Sequence, residues 1–196
     1  MFILYAIPAG IVAGLLLGGR MEGLGRIQFR WAWVFMLGLA VQLVLFSDYV
    51  TERIGPAGMP IYVVSTLVVA AAIVANLRVA GMPIVLAGAV SNLVAIVANG
   101  GYMPASAAAL AALGRPVKDG YSNSSFVPDP ALPWLTDIFA LPSWLPWTNV
   151  FSIGDVLIGL GVVVVIAAAM RRRGTTAGAS GNSPAPDPAA PTSAAA

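Results

Sequence analysis

The chain has no cysteine and no histidine. Without cysteine there are no disulfides, thiolate metal ligands, c-type haem attachments or thiol nucleophiles. Without histidine the commonest metal ligand and the usual general base near neutral pH are missing, together with the imidazole ligation of most membrane haem proteins. Charge is scarce as well: acids and bases make up 9% of the 196 residues, against about 25% in a typical soluble domain. The single lysine, Lys118, falls in a polar connection, which argues against a Schiff base inside a bundle. There is no serine-nucleophile motif, phosphate-cradling glycine loop or metal-ligand spacing. What remains is 59% apolar residues and a mean hydropathy of +0.87, so water is not the main solvent.

The apolar residues fall into five runs, at about 2–19, 31–47, 61–76, 83–99 and 150–170, each long enough to cross most of a hydrocarbon core of about 30 Å. These predict an all-α, polytopic membrane helix bundle of five transmembrane helices, occupying residues 1–173. A cleaved signal peptide competes for the first run, but no basic region precedes it and no small-residue cleavage site follows before Arg20. Gly10, Gly14 and Gly18 recur every four residues, a spacing that admits a second backbone, either within the bundle or from another copy. Gln42, alone in the second run, suits an interhelical hydrogen bond. The outer loop, residues 100–149, opens at the Asn99-Gly100-Gly101 break and holds a short alanine-rich helix capped near Ser106. Residues 115–125 are polar and are expected to be exposed. A proline-punctuated stretch follows with Trp134, Phe139, Trp144 and Trp147. It is too short to span, so a helical turn over residues 133–141 is expected to lie as a lid in the membrane interface, with a re-entrant hairpin as the rival. Residues 174–196, almost wholly Ala, Pro, Ser, Gly and Thr, read as a disordered tail.

Charge placement orients the bundle. With the N-terminus outside, Arg20, Arg26, Arg30, Arg78, Arg171, Arg172 and Arg173 face the cytoplasm, and only Arg53, Arg115 and Lys118 face out. The expected localisation is therefore the plasma membrane, multi-pass, with a cytoplasmic C-terminus. This orientation brings Asn92, Asn99, Asn149, Ser152 and Asp155 to one outer depth. Asp155 is the one acid that falls within a span, where an ionisable group is a functional candidate by default. Ser152-Ile-Gly-Asp155 also reads as a capping box at the positive end of a helix. Three readings stay open: the cap alone, the cap plus a polar cluster with Asn99 or Asn92, and an ion-coupling carboxylate. A lone acid with no second titratable group at its depth does not make an acid–base enzyme.

Asn99-Gly-Gly-Tyr-Met-Pro104, Leu110-Ala-Ala-Leu-Gly114 and Asn149-Val-Phe-Ser-Ile-Gly-Asp155 together resemble a bacterial family of small multi-span membrane proteins classed only as a domain of unknown function. The resemblance covers about residues 1–170 and implies an integral membrane protein with paired motifs on its outer face, and no reaction. The expected function is non-enzymatic binding of a partner or a lipid-like molecule. The alternative is a transporter component or substrate-binding subunit, with a polar cavity near Asn92, Asn99 and Asp155. No cofactor, metal or nucleic acid is expected; the partners are the lipid bilayer and either another membrane protein or a lipid-like ligand.

Overall fold

The computed structural model describes residues 2–114 and 125–171. The polar stretch around Lys118 and Asp119, Arg172, Arg173 and the tail at 174–196 lie outside the described residues.

The chain is mostly helical. Five apolar helices carry the fold: α1 (Ile3–Leu16), α2 (Ala32–Leu45), α4 (Gly58–Ala75), α5 (Met82–Ala98) and α7 (Ile153–Arg171). Two of them, α4 and α7, are long and apolar enough to cross a membrane; the other three are apolar but shorter. Between them, α3 (Asp48–Ile54) is a short helix where the Gly- and Pro-containing sequence suggested only a turn-rich connection, and α6 (Ala107–Ala112) starts at the Ser106 cap. The Ser106 hydroxyl accepts from the Ala109 amide at 3.1 Å.

The helices form a row. α1 packs on α7, α7 on α5, α5 on α4 and α4 on α2. Small residues set the closest approaches. A Cβ on Gly88 of α5 would land on the Gly154 carbonyl and lie 2.8 Å from the Ile158 amide nitrogen, so α5 and α7 meet backbone to backbone. Gly10 and Gly14 of α1 likewise face Ile166 and Met170 of α7, which assigns those glycines to packing within the chain. The α1–α2 connection closes under the far end of α7, where the Arg20 amide donates to the Met170 carbonyl at 2.8 Å.

The outer segment departs from the expected helical lid. Only Pro133–Leu135 forms a single tight 3-10 turn; Phe139–Ala140 is a strand, β3, paired antiparallel with β4 (Val150–Phe151). β1 (Pro104–Ala105) pairs in parallel with β2 (Ser125–Phe126). The physical reason is local: the prolines deny a continuous helix its amide donors, and the backbone groups they strand are satisfied by short ladders instead. The fifth apolar run therefore begins as β4, and its helix starts at Ile153 rather than at residue 150. Ala105, Ala109 and Val150 give this segment a small core of its own, while Met103 packs with Ala95 and Ile96 of α5. Phe139 stacks on Phe151, which stacks on Phe2 of the α1 leader, and the Tyr5 hydroxyl donates to the Pro146 carbonyl, so the segment is tied across the end of α1.

Candidate functional site

The first turn of α7 and the later half of α5 are joined by a closed ring of hydrogen bonds. The Ser152 amide donates to Asp155 Oδ2 and the Asp155 amide donates to Ser152 Oγ, both at 3.1 Å, a reciprocal capping box with aspartate in the glutamate position. Asn92 of α5 completes it. Its Nδ2 donates to Asp155 Oδ1 and its Oδ1 accepts from the Ser152 hydroxyl, each at 2.8 Å. The Ser152 hydroxyl, both capping amides and one N–H of Asn92 donate within the ring, and Ser152 is fully buried. A buried polar group is tolerated only on these conditions, so the ring locks α5 to α7 in one register.

Asn99 lies elsewhere. Its Nδ2 donates to the Ala95 and Ala131 carbonyls at 2.7 and 2.9 Å, and its Oδ1 accepts from the Ala131 amide at 2.8 Å. It holds the outer segment by its backbone and takes no part in the Asp155 ring. Asn149 carries its carbonyl to the Leu141 amide at 3.0 Å and borders the cavity described below. Trp134, Trp144 and Trp147 are mostly exposed, Trp144 at 79%, and Phe139 is 41% exposed within its aromatic stack.

Two residues that matter were not singled out from the sequence. Asn76, at the end of α4, is 2% exposed and repeats the geometry of Asn99. Its Nδ2 donates to the Ala72 and Arg30 carbonyls and its Oδ1 accepts from the Arg30 amide, all at 2.8 Å. The signal is present in the chain: Ala72-Ile-Val-Ala-Asn76 and Ala95-Ile-Val-Ala-Asn99 are the same five residues, each ending a helix with an asparagine that clamps a distant loop. Because α4 and α5 lie side by side and each clamp sits at its own helix's C-terminus, one grips the basic α1–α2 connection and the other the outer segment. Asp137, in the outer segment, is 4% exposed, with its backbone bonded to Pro104 and Ser106, and it lies on the cavity wall.

Between the helices lies a cavity of about 680 Å³. Phe35, Val69, Ile73, Val85, Ile158 and Val162 make its long apolar part. Tyr62, Asn92, Asp137, Asn149 and Asp155 line it too, and they belong to the start of α4, the later half of α5, the outer segment and the start of α7, which form one end of the bundle. Phe2 and Ile3 of the α1 end and Ala32, Met36 and Gln42 of α2 face it from the two extremities of the helix row. α1 and α2 share no extended packing seam, so the row curls around the cavity and leaves its flank between them. The space is apolar along most of its length and polar at one end.

A mostly helical chain of apolar helices wrapped on a one-ended polar cavity defines the class as a helical protein of membrane-like composition. The chain belongs to DUF5317, a family of unknown function, whose match covers residues 26–167, from the connection before α2 to the last turns of α7. The match leaves out α1, which the resemblance drawn from the motifs had included. No curated protein and no solved structure matches the chain.

Proposed function

We propose that this chain is a five-span integral protein of the plasma membrane that binds a lipid-like amphiphile in its central cavity, without catalysing a reaction. In chain order the five apolar helices alternate in direction, with α1 and α7 lying parallel, which suits five crossings. Their lengths of 14 to 19 residues suit a core covered at one end by the outer segment and at the other by the α1–α2 connection. Arg20, Arg30 and Arg171 gather at the end opposite Asp155 and the three outer-segment tryptophans, so the positive-inside bias supports a cytoplasmic C-terminus and an outward-facing lid with Trp134, Trp144 and Trp147 at headgroup depth.

One observation carries the ligand reading: the cavity is flanked by the unpaired extremities of the helix row, α1 and α2, and so faces the acyl region rather than water. A ligand dissolved in the bilayer reaches such a site sideways. The test is extraction and mass spectrometry of what co-purifies with the full chain in mild detergent. Wild type and Val74→Phe, whose side chain points outward at 52% exposure, are expected to carry a bound amphiphile. Ala89→Phe, which fills the cavity wall, is expected to lose it. A wild-type protein with an empty cavity, or an Ala89→Phe protein that keeps its ligand, overturns the reading.

A further inference from the structure

Resting on the five-span reading, we infer that the turn built around Asn76 is a binding site for the head of an anionic phospholipid in the cytoplasmic leaflet, with Arg30 and Arg78 on its phosphate. The positive-inside bias explains why arginines collect at this end. It does not explain why two of them are pinned. The buried Asn76 side chain holds both polar groups of the Arg30 main chain, accepting from its amide and donating to its carbonyl, each at 2.8 Å. The Asn76 carbonyl in turn accepts from the Val79 amide at 2.8 Å, closing a four-residue turn in which Arg78 is the third member. One asparagine thus ties the start of α2 to the α4–α5 turn and roots both arginines in the same knot.

Trp31 shows how firmly the knot is held. Its φ of +57° is a left-handed conformation that a side chain disfavours, and it sits between the clamped Arg30 and the first bond of α2, from the Val34 amide to its own carbonyl at 2.8 Å. Such a conformation persists only where its neighbours over-determine it. The hold is confined to the main chain. Arg30 and Arg78 are exposed, and among the described residues neither guanidinium has an ion pair or a hydrogen bond; Glu22, the one acid described at this end, lies 4.0 Å from Arg20 instead. Two planar forks of N–H donors with fixed roots and no internal partner suit a phosphodiester, which accepts such forks bidentately. Exposed apolar side chains adjoin the pair in sequence, Trp31 and Trp33 after Arg30 and Leu77 before Arg78. That surface suits the depth where a headgroup meets its acyl chains, and so favours a lipid over a soluble phosphate. The two positive charges favour an anionic head over a choline head, whose ammonium would add a third.

The experiment reconstitutes the full chain in nanodiscs of equal parts phosphatidylglycerol and phosphatidylcholine with matched chains, and native mass spectrometry reads which lipid stays bound. Phosphatidylglycerol is expected to be retained about tenfold over phosphatidylcholine, the scale of two arginine contacts at a membrane surface. Arg30→Gln and Arg78→Gln are each expected to remove most of that preference. Arg20→Gln and Arg171→Gln, which take the same charge from the same end, are expected to change it less than about twofold. Asn76→Ala, with both arginines in place, is expected to lower it as well; if that variant does not fold, the four exposed arginine substitutions decide alone. Equal losses from all four arginine variants would mean diffuse charge rather than a site and overturn the inference. So would a wild type without preference, a preference untouched in folded Asn76→Ala, or displacement of the lipid by glycerol phosphate where chloride of the same ionic strength has no effect. Each of these leaves the cavity reading standing, whereas a chain that stays out of the nanodiscs overturns both.

Discussion

The two flanks of the bundle are built differently. α7 is seated between α1 and α5 with glycines on its inner face, and 39% of its most apolar stretch is buried within the protein; for α4, packed between α5 and α2, the share is 17%. On the α5–α7 side, contacts run backbone to backbone and the polar groups close a ring. On the α2–α4 side, contacts run through side chains: a Cβ on Gly38 of α2 would meet only the Val69 side chain of α4. The lesson is a division of labour. The tight flank holds Asp155 in place at low conformational freedom, and the loose flank supplies the wall that, on the proposed function, yields to a ligand.

The largest expected effect contrasts the two kinds of glycine contact. Gly88→Ala forces two backbones apart and is expected to cost about 3 kcal/mol or prevent assembly, whereas Gly38→Ala asks only for a Val69 rotamer change and is expected to cost under about 1 kcal/mol. Thermal unfolding in detergent measures both; equal costs would erase the distinction between the flanks. Next comes the polar ring. Asn92→Leu leaves the Ser152 hydroxyl and one Asp155 oxygen without their partner and is expected to destabilise by about 1–3 kcal/mol. Thr66→Val on the loose side removes a hydroxyl that has no well-formed bond and is expected to be neutral or slightly stabilising in the same assay. The two clamps give the smallest and most local difference. Asn76→Ala, at a buried site, is expected to cost about 2 kcal/mol and Asn99→Ala, at a partly buried one, about 1 kcal/mol. Hydrogen exchange should quicken at the Arg30 amide in the first variant and at the Ala131 amide in the second.

Much of this was legible in the chain because it is local. The Ser152–Asp155 cap spans three residues and needs no tertiary knowledge, and the apolar runs mark the five helices to within a few residues. Asn92 could be placed near the cap by depth alone. Asn99 could not be told from Asn92, since seven residues of spacing put both on one side of α5, and only the structure shows that Asn99, the C-cap of that helix, bonds to a loop 32 positions away. Asn76 was passed over as part of a turn, although the repeated Ala-Ile-Val-Ala-Asn was there to be seen. Residues 133–141 misled for a different reason. Their amphipathic look came from tryptophan and leucine spacing, while backbone pairing of Phe139–Ala140 with Val150–Phe151 is a long-range choice that periodicity does not encode.

The absence of native cysteine allows a direct probe of the flank between α1 and α2. A nitroxide on a single cysteine at Met36, a residue that lines the cavity from α2, can be read by power-saturation spin resonance after reconstitution into lipid vesicles. A cavity that opens to the acyl region predicts relaxation by dissolved oxygen, little relaxation by a water-soluble nickel chelate, and slowed nitroxide motion when a long-chain amphiphile is added. Strong relaxation by the chelate, with oxygen having little effect, would contradict it.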